Sequence, residues 1–405
     1  MGTQRRRAVV VGAGVGGLAA AGALARDGWR VNLLERRPEI RPVGAGLSLW
    51  PNALRAIAAV NPAAVDRLRG HNELQDMVGL RRPDGRWLSR VEPGAAGAGA
   101  GEGGGDVAAD AFTVPLMVTR PKLYDVLRDL VPPESLHLGR TVTGVDTGPA
   151  GTVVRTDDEE YPADLVVAAD GIHSRLRTLV DPRTRTRGAG YVTWRALIPP
   201  ESAPTLQSGS ETWGRGQRFG CIPLADGGIY WYATLAHADP RYRADGIEDV
   251  PGLFADWHDP VPRLLAATPP DRIIRTDIEL LWPLPRTFVR DRLVLLGDAA
   301  HAMTPDLGQG ACQALEDAVE LATVVRAAEP GEVPAVLPEY DRLRRARTTG
   351  LAKQARLLGK IGQVRNPWGA RLRDRLVSLV PANQASRSLT SPTTWEPTEP
   401  ASVRP

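Results

Sequence analysis

Hydrophobic positions change their spacing twice within the first 34 residues of this chain. A short β-branched run occupies residues 8–11, an Ala/Leu-rich segment extends over 15–27, and a second apolar run follows at 31–34. Short β-branched runs favour strands, whereas longer Ala/Leu-rich segments favour helices. The N-terminal pattern therefore predicts a β-α-β unit.

The middle of the chain changes character. Residues 51–59 and 122–131 have helical patterns and residues 165–169 form an apolar run typical of a buried strand. From residue 191 to about 282, short aromatic-containing runs alternate with Gly and Pro turns; these runs are 191–197, 218–224 and 229–235. Such runs predict an antiparallel sheet, and hence a second domain.

A buried strand pattern returns at 293–296, followed by helical patterns at about 310–328 and 336–358. The first domain is therefore expected to be completed after the second.

We predict an α/β fold with an inserted antiparallel-sheet domain and C-terminal helices at 331–380. The Rossmann-like first domain comprises 1–72, 107–182 and 284–330, and the inserted domain comprises 73–106 and 183–283. Segment 93–106 contains seven glycines and predicts a flexible surface insertion. Residues 381–405 are rich in Pro, Ser and Thr and predict a disordered tail.

Glycines lie between the first predicted strand and helix in the pattern G-x-G-x-x-G, formed by Gly12, Gly14 and Gly17, with Gly16 beside them. Such glycines allow a tight turn and close approach of the backbone to a pyrophosphate at the N-terminus of the helix. Glu35 closes the second strand, where a carboxylate can bind ribose hydroxyls. The motif predicts dinucleotide binding without separating NAD from FAD.

Two later strands also end in an acidic residue. Asp170 follows the run at 165–169, and Asp298 follows the run at 293–296. Because ligands of open α/β sheets bind at the carboxyl ends of the strands, both carboxylates are expected to face one cofactor.

The segment 303–311 contributes Pro305, Asp306, Gly308, Gly310 and Ala311 just before a predicted helix. Free backbone N–H groups and the positive end of the helix dipole could stabilise negative charge on a reduced cofactor.

Composition excludes several functions. A formal charge of +3 from 50 basic and 47 acidic residues favours no nucleic-acid surface. No apolar run reaches the roughly 20 residues that cross a bilayer, so we expect no membrane partner. The two cysteines cannot make a disulfide scaffold, which fits a reducing compartment, and the six histidines lack the spacing of a metal site. We therefore expect a cytosolic protein without a metal.

The glycine motif with Glu35, the strand end at Asp170 and the strand end at Asp298 form three motifs. In this order and spacing, they resemble the class A flavoprotein monooxygenases, typified by para-hydroxybenzoate hydroxylase. Residues 43–47 and 51–54 are most similar to the compact members, such as salicylate hydroxylase, the flavin-dependent urate hydroxylases and zeaxanthin-epoxidase-like proteins. The resemblance covers roughly residues 8–360.

The resemblance implies an FAD site. Gly12, Gly14, Gly16 and Gly17 would lie at its pyrophosphate and Glu35 at the adenosine ribose, with Arg36 adjoining. Arg120 would lie near the phosphate and ribitol, Asp298 at the ribitol, and Asp170 in a motif linked to FAD and the nicotinamide donor. Pro305 would lie beside the reactive flavin carbon, and the remaining cofactor-binding positions are Gly46, Gly308, Gly310 and Ala311.

The candidate substrate-binding residues lie mostly in the predicted second domain. Aromatic walls with a few polar groups suit a flat organic ligand, which makes Trp194, Arg195, Phe219, Tyr230 and Tyr232 candidates. The resemblance implies that Arg218 contacts the substrate and pairs with Asp306, and that Tyr230 assists; these three and Pro305 are the catalytic candidates.

The family resemblance implies an enzyme that uses NADH or NADPH and O2 to hydroxylate a small aromatic or related unsaturated molecule through a flavin C4a-hydroperoxide. The alternatives are an FAD-dependent epoxidase, desaturase or dehydrogenase on the same scaffold, and a non-catalytic flavin-binding protein. We expect a monomer or homodimer acting in secondary metabolism.

Overall fold

A computed structural model describes residues 6–40, 46–69, 77–90, 115–148, 151–246, 249–380 and 391–398. The predicted Gly-rich insertion at 93–106 lies outside these ranges. Within them, the strands are β1 (Arg7–Val11), β2 (Arg30–Glu35), β3 (Gly46–Leu49), β4 (Met77–Arg81), β5 (Trp87–Arg90), β6 (Leu116–Thr119), β7 (Leu136–Leu138), β8 (Val142–Gly148), β9 (Gly151–Thr156), β10 (Glu160–Ala163), β11 (Leu165–Ala168), β12 (Thr186–Ile198), β13 (Gly209–Trp213), β14 (Gln217–Pro223), β15 (Ile229–Ala236), β16 (Ile274–Leu281), β17 (Val289–Arg290) and β18 (Leu293–Leu295).

The helices of the described ranges include those of the five predicted helical patterns and several shorter ones that the patterns did not indicate. They are α1 (Val15–Arg26), α2 (Pro51–Val60), α3 (Pro62–Leu68), α4 (Arg120–Arg128), α5 (Arg177–Val180), α6 (Val250–Leu253), α7 (Val261–Ala266), α8 (Asp298–His301), α9 (Gly310–Val325), α10 (Val333–Gly362) and α11 (Pro367–Leu379).

The first sheet is mostly parallel and has the strand order β17-β18-β11-β1-β2-β7. Strand β1 pairs in parallel with β11 on one side and β2 on the other. Its residues 8–11 are buried, and the Ala-rich face of α1 packs into the same core. The arrangement is the Rossmann-like α/β fold that the sequence predicts, because short β-branched strands and a small-residue helix pack closely.

The second sheet has the strand order β16-β12-β15-β14-β13-β4-β5 and is antiparallel except for the β13–β4 pair. One face packs against α6 and α7 in a core that includes Phe254 and Leu264. The other face carries a smaller apolar cluster that includes Met117, which belongs to β6 of the first domain. This second face is therefore directed toward the first domain.

The C-terminal segment departs from the prediction of a disordered tail. Residues 391–398 lie against the first domain: Trp395 packs on its core, and the Trp395 indole donates a hydrogen bond to Glu320 Oε1 (2.9 Å). Arg347 also donates to the Pro392 carbonyl (2.6 Å). The prediction was wrong for 391–398, because one aromatic side chain and carbonyls that accept from arginines hold a segment that is otherwise polar.

Candidate active site

The glycine-rich turn has the geometry of a phosphate-binding loop. Gly12 has a φ of +102°, and a Cβ there would lie 2.5 Å from the Ala169 carbonyl oxygen. A Cβ at Gly17 would lie 1.8 Å from the Gly12 carbonyl oxygen, so α1 can pack on the turn only without that atom. A Cβ at Gly14, at the start of α1, would meet nothing closer than the Tyr124 hydroxyl at 4.0 Å. The N-terminus of α1 is therefore open to a ligand.

Glu35 stabilises this turn through hydrogen bonds from backbone amides. Its Oε2 accepts from the Ala13 amide (2.9 Å) and its Oε1 accepts from the Arg37 amide (3.0 Å). Arg36, which adjoins Glu35, is exposed. The carboxylate thus lies where β2 ends, beside the open end of α1.

Asp170 and Asp298 follow neighbouring parallel strands, β11 and β18, so both lie at the same edge of the sheet. Asp170 Oδ2 accepts from the Arg175 amide (3.0 Å), so the backbone of Arg175 braces the loop. Asp298 is exposed. The buried Arg177 guanidinium joins the two loops by donating to the carbonyls of Ile172 (2.8 Å) and Ala299 (3.2 Å).

One buried oxygen at this edge accepts no hydrogen bond from the described residues. Asp170 Oδ1 is buried and has no hydrogen-bond partner within the described part of the chain. A buried carboxylate oxygen without a donor costs free energy, and a ligand hydroxyl or amide could supply that donor. The open end of α1, this orphaned oxygen and the exposed Asp298 fit a dinucleotide such as FAD.

The segment before α9 forms a second open helix end. Gly308 has a φ of +63°, and a Cβ there would lie 2.9 Å from the Trp50 indole nitrogen. A Cβ at Gly310 would meet nothing within 4 Å, so the first turn of α9, which includes Ala311, is accessible. Pro305 is exposed just before it. The loop can therefore present backbone amides to a planar cofactor ring.

A buried polar group, which we call the scaffold cluster, supports this loop from behind. Arg344 donates to Glu316 and to Asp317, both at 2.6 Å. Asp317 Oδ2 accepts from the Gly297 amide (2.8 Å) and contacts His301 Nε2 at 2.6 Å. The members of the cluster are Asn52, His301, Gln309, Gln313, Glu316, Asp317 and Arg344. The cluster ties α2, α8, α9 and α10 together.

Charged neighbours within the scaffold cluster lower the pKa of Asp317. Burial alone would raise the pKa of Asp317, but His301 and Arg344 outweigh that effect and lower it to about 2. Sequence inspection missed this cluster, because its members are scattered between residues 52 and 344 and share no motif.

The second sheet presents alternate residues to the first domain. On the site face lie Arg195 and Leu197 of β12, Ile222 of β14, and Tyr230 and Tyr232 of β15. Leu197, Ile222, Tyr230 and Tyr232 belong to the apolar cluster with Met117. A Cβ at Gly46 would lie 2.7 Å from the Met117 sulfur, so β3 borders the same region.

Two predicted substrate residues lie on the opposite face. Trp194 and Phe219 are buried in the core against α6 and α7, where Phe219 stacks on Trp231 with ring centroids 5.4 Å apart. Successive side chains of a strand point to opposite faces, so neither residue can share a ligand with Tyr230. The prediction was wrong for Trp194 and Phe219.

Tyr230 connects the sheet to the cofactor side. Burial raises the pKa of Tyr230, and the charges of Arg195 and Arg120 oppose that rise. Arg120 is the first residue of α4 and is exposed. Tyr230, Arg195 and Arg120 are therefore brought together at one end of the apolar face.

A second buried polar group, which we call the site cluster, comprises Tyr191, Glu211, Arg218, Tyr232 and Asp306. The predicted partners Arg218 and Asp306 are in direct contact through Nη1 and Oδ1. Glu211 accepts from Arg218 Nε at 2.6 Å, and the Tyr191 hydroxyl donates to Asp306 Oδ2 at 2.8 Å. Burial alone would lower the pKa of Arg218, but Glu211 and Asp306 raise it well above the usual value.

Helix α10 covers the site cluster with two glycines. A Cβ at Gly359 would lie 2.6 Å from Asp306 Oδ2, and one at Gly362 would lie 2.8 Å from Arg218 Cδ. The helix can lie this close to the ion pair only because these positions lack side chains.

Three further features of the described residues concern a thiol, metal binding and membrane spans. Burial raises the pKa of the Cys312 thiol to about 12, so this cysteine is no nucleophile near neutral pH. The described residues hold no cluster of His, Cys, Asp and Glu that could bind a metal, and none of their helices is long and apolar enough to span a membrane.

Two family models match the chain: an NAD(P)-binding Rossmann-like domain over residues 10–42 and an FAD-binding domain over 271–355. The first match fits use of an NAD(P)H donor. The chain is 35% identical to the aurachin C monooxygenase/isomerase of Stigmatella aurantiaca, covering 93% of this chain and 94% of that protein. It is 33% identical to a 2-heptyl-3-hydroxy-4(1H)-quinolone synthase of Pseudomonas aeruginosa, covering 94% and 96%.

The fold is also similar to a solved structure, Klebsiella pneumoniae HpxO complexed with FAD and uric acid. The TM-score is 0.83 at 28% identity, over 96% of each chain. The protein is an FAD-dependent oxidoreductase of the aromatic-hydroxylase type, and the chain belongs to the class A FAD-dependent monooxygenases.

Proposed function

We propose that this protein uses NADH or NADPH and O2 to hydroxylate a small, flat, unsaturated ring bound between the site face of the second sheet and the loop before α9. The observation that carries this proposal is the apolar face formed by Leu197, Ile222, Tyr230 and Tyr232 against Met117. Aromatic and aliphatic walls with few polar groups suit a flat organic ligand.

The FAD would be held by three features of the first domain. The open end of α1 would bind its pyrophosphate, Glu35 its adenosine ribose, and Asp170 and Asp298 the hydroxyl and amide donors at the sheet edge. When bound, FAD accepts a hydride from the nicotinamide donor and activates O2. The amides of Gly310 and Ala311, at the positive end of α9, would stabilise negative charge on the reduced ring system.

The substrate would be oriented by Tyr230 and Arg195. Burial keeps the Tyr230 phenol protonated near neutral pH, because its pKa is raised, so its hydroxyl can donate a hydrogen bond. Arg195 Nη2 donates to the Thr276 hydroxyl (3.3 Å), but its Nε is buried without a partner in the described ranges. A carbonyl or hydroxyl on the ring could accept from both residues.

Burial also excludes water from the reaction. Tyr230, Ile222 and Leu224 are each less than a tenth exposed on the site face. Exclusion of water would slow the premature loss of a reactive oxygen donor as hydrogen peroxide.

The test is a screen of NADH and NADPH oxidation with phenols, anthranilates, purines and quinolones. One ligand class should accelerate donor oxidation and be converted to a product heavier by one oxygen atom. Tyr230→Phe should raise the KM for that ligand, whereas Tyr242→Phe, on a tyrosine stacked on His237, serves as the control. Donor oxidation that no ligand accelerates, with a fully flavin-loaded protein, would contradict the proposal.

A further inference from the structure

Two carboxylates contact the three nitrogen atoms of the Arg218 guanidinium. Glu211 Oε1 lies 2.6 Å from Nε and 2.6 Å from Nη2, and Asp306 contacts Nη1. The side chains of all three residues are at most a tenth exposed. The fork of Nε and Nη2 is the edge of a guanidinium that ordinarily binds a carboxylate in a bidentate manner. Here a residue of the chain itself occupies that edge.

Tyr232 and Gly220 lie next to Glu211 in the second sheet. Gly220 lies opposite Tyr232 in the register of β14 and β15, and opposite Glu211 in the register of β13 and β14. A Cβ at Gly220 would lie 2.3 Å from Tyr232 Cε1, so the Tyr232 ring lies across β14 at this glycine. Burial raises the pKa of Tyr232, and the nearby carboxylate of Glu211 raises it further. The Tyr232 phenol therefore stays protonated beside Glu211.

The formal charge of the site cluster follows from its members. Glu211 and Asp306 carry two negative charges against the single positive charge of Arg218, while Tyr191 and Tyr232 stay protonated because their pKa values are raised. Arg218 lies on the same face as Tyr232 and contacts the loop before α9, at the border of the proposed substrate cavity. An anionic substrate group at this border would meet net negative charge.

We propose that Glu211 is a specificity-determining residue that occupies the carboxylate-binding edge of Arg218 and so selects substrates that are uncharged at the ring position nearest Arg218. The proposal rests on the substrate cavity of the proposed function. Glu211 acts through Arg218 and touches neither the cofactor nor the reacting atoms.

The test compares two probes of nearly equal shape, salicylamide and salicylate, on the flavin-loaded protein. Dissociation constants are measured by the change in flavin absorbance, which requires no turnover. Glu211→Gln removes one negative charge and leaves a weaker acceptor on the guanidinium fork. Salicylate binding should tighten relative to salicylamide by about tenfold or more, because a charge-assisted hydrogen bond contributes more than a neutral one.

Three variants separate charge selection from loss of structure. Glu211→Asp keeps the charge and should keep the exclusion of salicylate. Glu211→Gln combined with Arg218→Met should lose the gained affinity for salicylate. Tyr232→Phe removes the hydroxyl beside Glu211 without altering an ion pair. It should shift the ratio of the two dissociation constants in the same direction by about two- to threefold, which preserves the test if Glu211→Gln does not fold.

Any one of three results would overturn the proposal. These are an unchanged ratio of the two dissociation constants in both Glu211→Gln and Tyr232→Phe, equal weakening of both probes, or no salicylate binding to Glu211→Gln. A protein that fails to oxygenate any ring but shows the expected change in ratio would contradict the proposed function alone.

Discussion

The scaffold cluster and the site cluster are both buried ion-pair networks, yet they occupy different positions in the fold. The scaffold cluster joins helices within the first domain, and Arg344 is satisfied there by Glu316, Asp317 and Gln313. The site cluster joins the second sheet to the loop before α9, across the groove proposed for the substrate. The same chemistry thus joins helices in one place and, in our proposal, sets the charge of a ligand surface in the other.

The largest effect on stability is expected for Arg344→Met. Removing this guanidinium leaves Glu316 and Asp317 buried without their main partner, which costs about 3–5 kcal/mol. Arg347→Met is the control, because Arg347 pairs with Glu316 from a position that is about a quarter exposed and its loss leaves Arg344 in place. Urea unfolding of both variants measures the difference, and equal losses would show that Arg344 has no special role.

Arg218→Met should cost less stability, about 1–3 kcal/mol, because the side chains of Arg218 and Glu211 are 5% and 10% exposed and Tyr191 still donates to Asp306. FAD should be retained, since no FAD-binding candidate contacts Arg218, while ligand affinity should fall. Flavin absorbance after gel filtration and a ligand titration measure the two properties. Loss of flavin together with loss of stability would show that Arg218 stabilises the first domain, as the scaffold cluster does, and would contradict a role at the substrate.

Gly359→Ala tests the close approach of α10 to the site cluster. The added methyl group would lie 2.6 Å from Asp306 Oδ2, a carboxylate held by Arg218 and Tyr191, so overpacking should cost about 1–2 kcal/mol. Gly350→Ala in the same helix is the matched control, because a Cβ there meets nothing within 4 Å. It should be neutral or slightly stabilising, since alanine favours helices. Equal Tm values for the two variants would contradict the close packing.

The smallest effect concerns acid stability. The pKa of Asp317 is about 2 in the folded protein, below its ordinary value of 3.8. A depressed pKa contributes stability that is present above pH 3.8 and is lost as the pH falls toward 2. The wild-type Tm should therefore fall through this window more steeply than that of Asp317→Asn, measured by circular dichroism. Parallel curves would exclude Asp317 as a source of acid sensitivity.

Much of the first domain could be predicted from sequence, because its signals are local. The glycine turn, Glu35, Asp170 and Asp298 each lie directly at a strand end, and the position of a strand end follows from the hydrophobic pattern. For the second sheet, the hydrophobic pattern predicts the strands but not which face of each strand lies at the site. Strand β14 is buried over its whole length, so hydrophobicity does not reveal which of the neighbours Arg218 and Phe219 faces the first domain.

Glu211 was missed for a different reason. Its role depends on the cross-strand pairing of Gly220 with both Glu211 and Tyr232, and no short motif encodes that register. The segment 391–398 was mispredicted because one tryptophan, Trp395, outweighs a polar composition when a complementary surface lies nearby.

The most direct test of the central claim is the mass of the product formed under ¹⁸O₂ with NAD(P)H and the ligand that accelerates donor oxidation. The account predicts one ¹⁸O atom in each product molecule and none from H₂¹⁸O. A product that has lost two hydrogen atoms and carries no ¹⁸O would contradict oxygen insertion and identify a flavin-dependent dehydrogenase or desaturase on the same scaffold.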